Sequence, residues 1–302
     1  AMSQGSSLRA VLYALGANLG ILIAKGTAAA VTGSSAMLAE AIHSAADCGN
    51  QVLLLRGMQE AKREPDAGHP LGYGKVVYFW AFLVAVLLFT LGGLFSVFEG
   101  WHKLHQTEPI TSPIVAILVL AVSIVLESFS LAGCLREIRK VSGGVSLWRF
   151  FRVSRNSELI VVLGEDIAAL VGLTLALIAI VLALATGNPM FDALGSMAVG
   201  ILLIVVAVLL SMEIKGLITG ESAEADTRHA IHAFLVARGE VAEVYNLLTL
   251  QMGEGIMLAV KARMKETGSA TAMIDDINRV EADLRAAFPV VRWCFFEPDN
   301  KN

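Results

Sequence analysis

Six stretches of this chain, Leu8–Val31, Ala36–Met58, Val76–Leu104, Pro113–Leu135, Leu159–Thr186 and Met190–Leu217, are each long and apolar enough to cross a membrane as a helix. A bilayer core about 30 Å thick asks for about 20 mostly apolar residues per helix, and a soluble core cannot hide six such segments. Composition agrees: 56% of the 302 residues are hydrophobic and 17% are charged, where soluble domains carry about 25% charged residues. The formal net charge of −4 argues against nucleic acid as a partner, since such domains are typically basic. Cys48, Cys134 and Cys294 are too few and too scattered for a disulfide framework or a zinc ribbon. An α-helical, multi-pass membrane protein is expected, with membrane lipid as its solvent.

Lys and Arg set the orientation, because basic loops stay on the cytoplasmic side. Arg56, Lys62, Arg63 and Lys75 follow the second stretch, and Arg136, Arg139, Lys140, Arg149, Arg152 and Arg155 follow the fourth. The connections Thr32-Gly33-Ser34-Ser35 and Thr186-Gly187-Asn188 carry no base, and the third carries only Lys103 at its edge. Both termini are therefore expected in the cytoplasm. With no targeting segment ahead of the first span, a bacterial cytoplasmic (inner) membrane is the expected location.

The composition changes after Leu217, so the chain divides into a transmembrane domain, 1–217, and a cytoplasmic domain, 218–302. A polar helix runs to about Arg238. Apolar residues then alternate through Val244, Leu248, Leu250 and Met252, pause at Gly253-Glu254-Gly255, and resume through Ile256, Leu258, Val260 and Ala262. Alternation broken by a glycine-bearing turn predicts a β-hairpin. Ile274, Ile277, Val280, Leu284 and Phe288 recur at helical spacing behind Thr271, the expected N-cap, and Val291, Trp293 and Phe295 make a last strand. The order is αββαβ, enough for one small two-layer α/β domain.

A charge at mid-bilayer costs roughly 2.5 kcal/mol or more and calls for a partner, a cavity or a function. The second span holds Glu40, His43 and Asp47, with Asn50 near the same face; the fifth holds Glu165 beside Asp166. The first and fourth spans add Asn18, Lys25 and Glu127. His43 and Asp47 are four apart and share a helix face. Glu165 and Asp166 diverge by about 100°, which favours Asp166 inward and Glu165 as second ligand or proton carrier. An imidazole with carboxylates suits a divalent first-row metal, and a cluster of acids repels itself unless protons or a cation intervene. Glu127 has a structural alternative, bonding Asn18 or pairing with Lys25 inside the bundle. An isolated HxxxD is by itself weak, being common as a surface pair.

These residues, with the loop Asp66-Ala67-Gly68-His69-Pro70-Leu71-Gly72-Tyr73-Gly74-Lys75 and the αββαβ tail, resemble the cation diffusion facilitator family over nearly the whole chain. That resemblance implies a homodimeric, proton-coupled exporter of divalent cations and a ferredoxin-like, metallochaperone-type tail that dimerises. It implies a transport site at His43, Asp47 and Asp166, beside which Glu165 stands. The fifth-span motif of the family has its first ligand where this chain has Val162. The segment Leu163-Gly164-Glu165-Asp166 is similar instead to the branch typified by the mitochondrial zinc transporter (solute carrier family 30, member nine). Asn50, Glu127, Asp66 and His69 are weaker candidate ligands; Tyr73 stands at the third position of the family's loop site. Tyr245, Lys261 and Phe295 stand where zinc-exporting relatives carry histidines, so the tail is expected to dimerise through apolar packing. His229 and His232, three apart on a helix, read as a solvated pair.

The expected function is proton-coupled efflux of a divalent metal, zinc first and manganese, ferrous iron or cobalt next, with no prosthetic group and no enzymatic activity. The resemblance further implies alternating access, with spans one, two, four and five rocking against three and six, and Gly92-Gly93, Gly195 and Gly200 allowing close helix contact. An intramembrane metalloenzyme and a membrane-anchored sensor are the alternatives from other classes.

Overall fold

Backbone that cannot turn to water for hydrogen bonds must satisfy them internally, and a helix does so within one segment. The structure, a computed structural model, describes residues 2–32, 35–105 and 112–301. The long apolar stretches form α1 (Met2–Thr32), α2 (Ser35–Glu60), α3 (Val76–His105), α4 (Pro113–Val141), α6 (Ser157–Thr186) and α7 (Met190–Thr219), with a short α5 (Leu147–Val153) between α4 and α6. Five of these, α1, α3, α4, α6 and α7, are long and apolar enough to cross a membrane among the described residues. At 26 residues α2 is also long enough, about 39 Å at 1.5 Å per residue. Glu40, His43, Asp47, Arg56 and Glu60 make it the most polar of the six.

Helix ends follow local chemistry. Pro113 opens α4, where a missing N–H costs nothing. Asn156 caps α6 by accepting from the Leu159 amide at 3.0 Å, and Gly187 ends it at φ +65°. Within α3, Leu88–Leu94 is wound as π-helix.

By internal packing the chain forms two compact units: 1–59, 77–152 and 156–215 in one, and 60–76, 153–155 and 216–302 in the other. In the first unit α1 packs along α4 and α6, and α4 along α6. Arg9 of α1 donates to the buried Glu137 of α4 at 3.1 Å. Between α3 and α7 the contact is backbone to backbone. A Cβ at Gly93 would lie 3.1 Å from Ile204 N and 3.2 Å from Gly200 O, and one at Gly200 would lie 2.6 Å from Val97 N. Gly195 instead abuts Ala179 of α6, and Gly100, unremarked in the sequence, meets Ala193 O and Met197 on α7.

The second unit contains α8 (Ala225–Val236), β1 (Val241–Met252), β2 (Gly255–Met264), α9 (Ala270–Ala287) and β3 (Val291–Pro298). The sheet order is β1-β2-β3, with β1 antiparallel and β3 parallel to β2. Met252 pairs with Gly255, and Gly253 takes φ +68° in the two-residue turn, a conformation such hairpins demand. Ile231, Leu235, Leu258, Val260, Ala262, Val280 and Leu284 form the core. The N-cap of α9 is Ser269, whose hydroxyl accepts from the Ala272 amide at 3.1 Å, and not Thr271. Two residues earlier, an extended backbone aims the Ser269 oxygen at the free amide, whereas Thr271 is already helical.

The segment 60–76 joins this unit through its glycines. A Cβ at Gly74 would meet the Met252 carbonyl, and Lys75 Nζ donates to Ile218 O at 3.0 Å. Arg155 ties 153–155 in, pairing with Glu221 at 2.6 Å and donating to Ser222 O at 2.9 Å.

Candidate metal centre

Helical spacing sets the α2 half of the site. His43, Asp47 and Asn50 line a small cleft with Ala46 of α2 and with Leu87, Leu88, Leu91 and Gly92 of α3. The missing side chain at Gly92 leaves room beside the imidazole: a Cβ there would lie 3.8 Å from His43 Cε1. Gly92 sits in the π-helical stretch, so the irregular part of α3 is the part that faces His43.

The α6 half divides as neighbours on a helix must. Glu165 turns toward α2, where Asn50 Nδ2 donates to Oε1 at 3.0 Å and Gln51 Nε2 to Oε2 at 2.6 Å. Asp166, 2% exposed, turns toward α4. Ser130 Oγ donates to its Oδ2 at 3.1 Å, and the Glu127 carboxyl lies against it. Glu127 is itself buried, and its Oε2 has no hydrogen-bond partner among the described residues. Two carboxyls so placed repel unless a proton or a cation stands between them.

Glu127 therefore belongs with Asp166. The sequence alternative that paired it with Lys25 is corrected: Lys25 Nζ bonds Glu40 Oε2 at 2.8 Å, across from α1 to α2. A nearly buried ammonium needs a carboxylate in contact, and Glu40 supplies one. Gln51 and Ser130 escaped the sequence reading. The signal for Gln51 was a second amide beside Asn50 within a span; Ser130 lies one turn beyond Glu127.

The structure thus brings His43, Asp47 and Asn50 to one cleft, Glu165 onto the Asn50 and Gln51 amides, and Asp166 onto Glu127 and Ser130. Among the described residues no three imidazole, thiol or carboxyl groups converge on a single coordination sphere. One imidazole with several carboxylates is a donor set for a divalent first-row ion.

Asp66 and His69 belong to the second unit. Asp66 Oδ2 accepts from the Tyr73 hydroxyl at 2.6 Å, Oδ1 accepts from the His69 and Gly68 amides, and the His69 ring lies 4.2 Å from that of Tyr73. The Tyr73 hydroxyl, helped by those amides, holds the Asp66 carboxyl down to about 2. In the tail, Lys261 Nζ bonds Asp299 at 2.9 Å, which raises the lysine and lowers the aspartate from their usual values.

Residues 11–215 match the Cation efflux transmembrane domain. The chain is 36% identical over 224 residues to "Proton-coupled zinc antiporter SLC30A9, mitochondrial" of Xenopus laevis, covering 74% of this chain and 40% of that protein. It is 30% identical over 251 residues to "Metal tolerance protein C4" of Arabidopsis thaliana, 82% of this chain and 55% of that one. Over 255 residues it is 23% identical to "Magnetosome protein MamB" of Magnetospira sp. (strain QH-2), 83% of this chain and 80% of that one. The chain spans roughly half the length or less of the first two.

Proposed function

The chain belongs to the cation diffusion facilitator family, and from that premise we propose that it moves divalent metal cations, zinc foremost, out of the cytoplasm in exchange for protons. The carrying observation is the set of acids within three spans, half-buried Asp47 on α2, buried Glu127 on α4, and half-buried Glu165 with buried Asp166 on α6, with His43 beside Asp47 at the cleft. His43, Asp47, Asp166 and Glu165 are the proposed ligands. Glu127 and, in the loop, Asp66 and His69 are secondary candidates, while the Asn50 amide is engaged with Glu165.

Binding requires a neutral imidazole and ionised carboxylates, so arrival of the metal displaces protons and its departure takes them back. The ligand-bearing spans α2 and α6, with α1 and α4, rock against α3 and α7. Packing of α1, α4 and α6 on one another supports the first group, and the glycine contacts of α3 with α7 support the second. The names of the nearer relatives and the imidazole support zinc. An oxygen-rich donor set also suits manganese(II) or iron(II), which makes these, with cobalt, the competing cargoes.

On the same reading, 1–217 is the transport domain and 218–302 a cytoplasmic, ferredoxin-like domain that pairs two copies. The rows Leu248–Ala259–Phe295 and Leu250–Met257–Trp293 lie on the sheet face opposite the core, and Leu248 and Phe295 are more than half exposed. That apolar face supports the homodimer. Both termini are cytoplasmic, in a bacterial inner membrane; the match over most of a bacterial relative supports the latter.

Liposomes carrying an imposed pH gradient and a trapped metal-sensitive dye test the reading. Zinc influx is expected in the wild type and is expected to be lost in Asp47→Ala and Asp166→Ala that still fold and dimerise. Unchanged flux in both variants would end the assignment of the site to these residues, and no flux in the wild type would end the transport proposal in favour of spans that merely anchor a tail.

A further inference from the structure

Asn50 and Gln51 sit one turn beyond Asp47 on α2, and both reach Glu165 on α6. Each oxygen of one carboxyl is held by a different amide, at 3.0 Å and 2.6 Å, so rotating the carboxyl breaks both bonds. The two side chains are 4% and 1% exposed. Burying an amide costs free energy unless its hydrogen bonds are made, and Gln51 is compensated on one side only, its Oε1 having no partner among the described residues. Packing alone would be served better by leucine or methionine at both positions.

The chemistry of the donors matters. Elsewhere in the same unit, two carboxylates that bridge helices meet cations: Glu40 meets Lys25 and Glu137 meets Arg9. A cation cancels the carboxylate's charge and competes with any incoming metal. Two neutral amides orient the group, leave its charge in place, and leave each oxygen a further lone pair. A carboxylate intended for a metal is held in this manner, by hydrogen bonds from an outer ring of groups. Asn50 also borders the cleft beside His43 and Asp47, so a single amide touches both halves of the donor set.

We propose that Asn50 and Gln51 are positioning residues, an amide clamp that holds the Glu165 carboxyl aimed for capture of the divalent cation without neutralising it. Asn50 thereby acts through Glu165 and not as a ligand. The inference rests on the transport site described under Proposed function.

The test uses the full chain in liposomes, zinc alone as probe, and the near-isosteric, donor-free variants Gln51→Met and Asn50→Leu. The zinc concentration giving half-maximal flux is expected to rise about 10–100-fold, with calorimetric zinc binding weakened by the same factor. Maximal flux is expected to stay within about threefold, as for loss of a group that serves binding. In a Glu165→Ala background Gln51→Met is expected to add nothing, because the clamp has lost what it grips. An undiminished further loss in that background, or a fall in maximal flux at unchanged half-saturation, overturns the clamp. Asn50→Leu carries the same measurements if Gln51→Met fails to fold. A wild type that neither binds nor moves zinc sinks the transport reading itself; a wild type and clamp variants that move zinc alike sink the clamp alone.

Discussion

Asp66 illustrates how one residue can match a motif and still be occupied otherwise. Its two oxygens are taken up by the Tyr73 hydroxyl and by the Gly68 and His69 amides, so the loop is closed on itself by the group the sequence nominated as a ligand. The hydroxyl is the largest influence holding this carboxyl at about 2. A folded value below the unfolded value of about 3.9 stabilises the loop at any pH above the latter, and the gain disappears as pH falls through the former. Tyr73→Phe is therefore expected to raise the Asp66 midpoint toward 3.9 and to shift acid-induced loosening of segment 60–76 to higher pH. Carboxyl-detected NMR titration of the protein in nanodiscs reads the midpoint directly, and an unmoved midpoint would show that the amides suffice. At the proposed transport site, the residue types were legible in the sequence because charge within a span is conspicuous. Their partners were not: Glu165 and Asp166 point to different helices, and only the packing of α2 and α4 against α6 decides which acid meets Gln51 and which meets Ser130.

At the level of helices and strands the physical signals were strong. Six apolar stretches became helices whose ends fall within six residues of their expected places, because a bilayer-length apolar segment has one good way to satisfy its backbone. The αββαβ tail followed from alternation, one turn and one amphipathic period. The π-helical stretch of α3 has no comparable signature; it contains Gly92 and Gly93, where a Cβ would meet His43, Leu203 and Ile204 on other helices. The glycines themselves make a sharper prediction. Gly93 and Gly200 are needed for close approach of α3 and α7, while Gly26 on α1 has nothing within 4 Å of its missing side chain. Gly200→Ala is expected to destabilise by about 1–3 kcal/mol through overpacking, and Gly26→Ala to be neutral or slightly stabilising, since alanine favours helix over glycine by up to about 1 kcal/mol. Thermal unfolding in detergent separates them. Equal midpoints for the two variants would mean that α3 and α7 part easily, contrary to a backbone-level contact.

For the whole molecule the decisive quantity is the asymmetry of positive charge. On the proposed six-span topology both ends of the chain lie on one side, with the stretches that carry the bases: Lys62, Arg63 and Lys75 after α2, Arg139 and Lys140 in the last turn of α4, and Arg149, Arg152 and Arg155 after it. Several of these are engaged as well as charged, Arg152 with Glu213 and Arg155 with Glu221. Translocating such a loop would cost both the desolvation of these bases and the loss of their acidic partners, which supports the proposed orientation. The connection between α6 and α7 has no base to hold it back. In a background with Cys48, Cys134 and Cys294 replaced by alanine, a thiol at Ser146 and one at Thr186, both exposed positions, report opposite sides. A membrane-impermeant maleimide added to intact cells is expected to label Thr186→Cys at once and Ser146→Cys only after permeabilisation. Labelling of both from outside would mean that α6 does not cross. Labelling of Ser146→Cys alone from outside would require either an odd number of crossings before α6 or an inverted chain. In the first case α2, the most polar of the six helices, is the one that fails to cross, and His43 and Asp47 then lie outside the path of any transported ion.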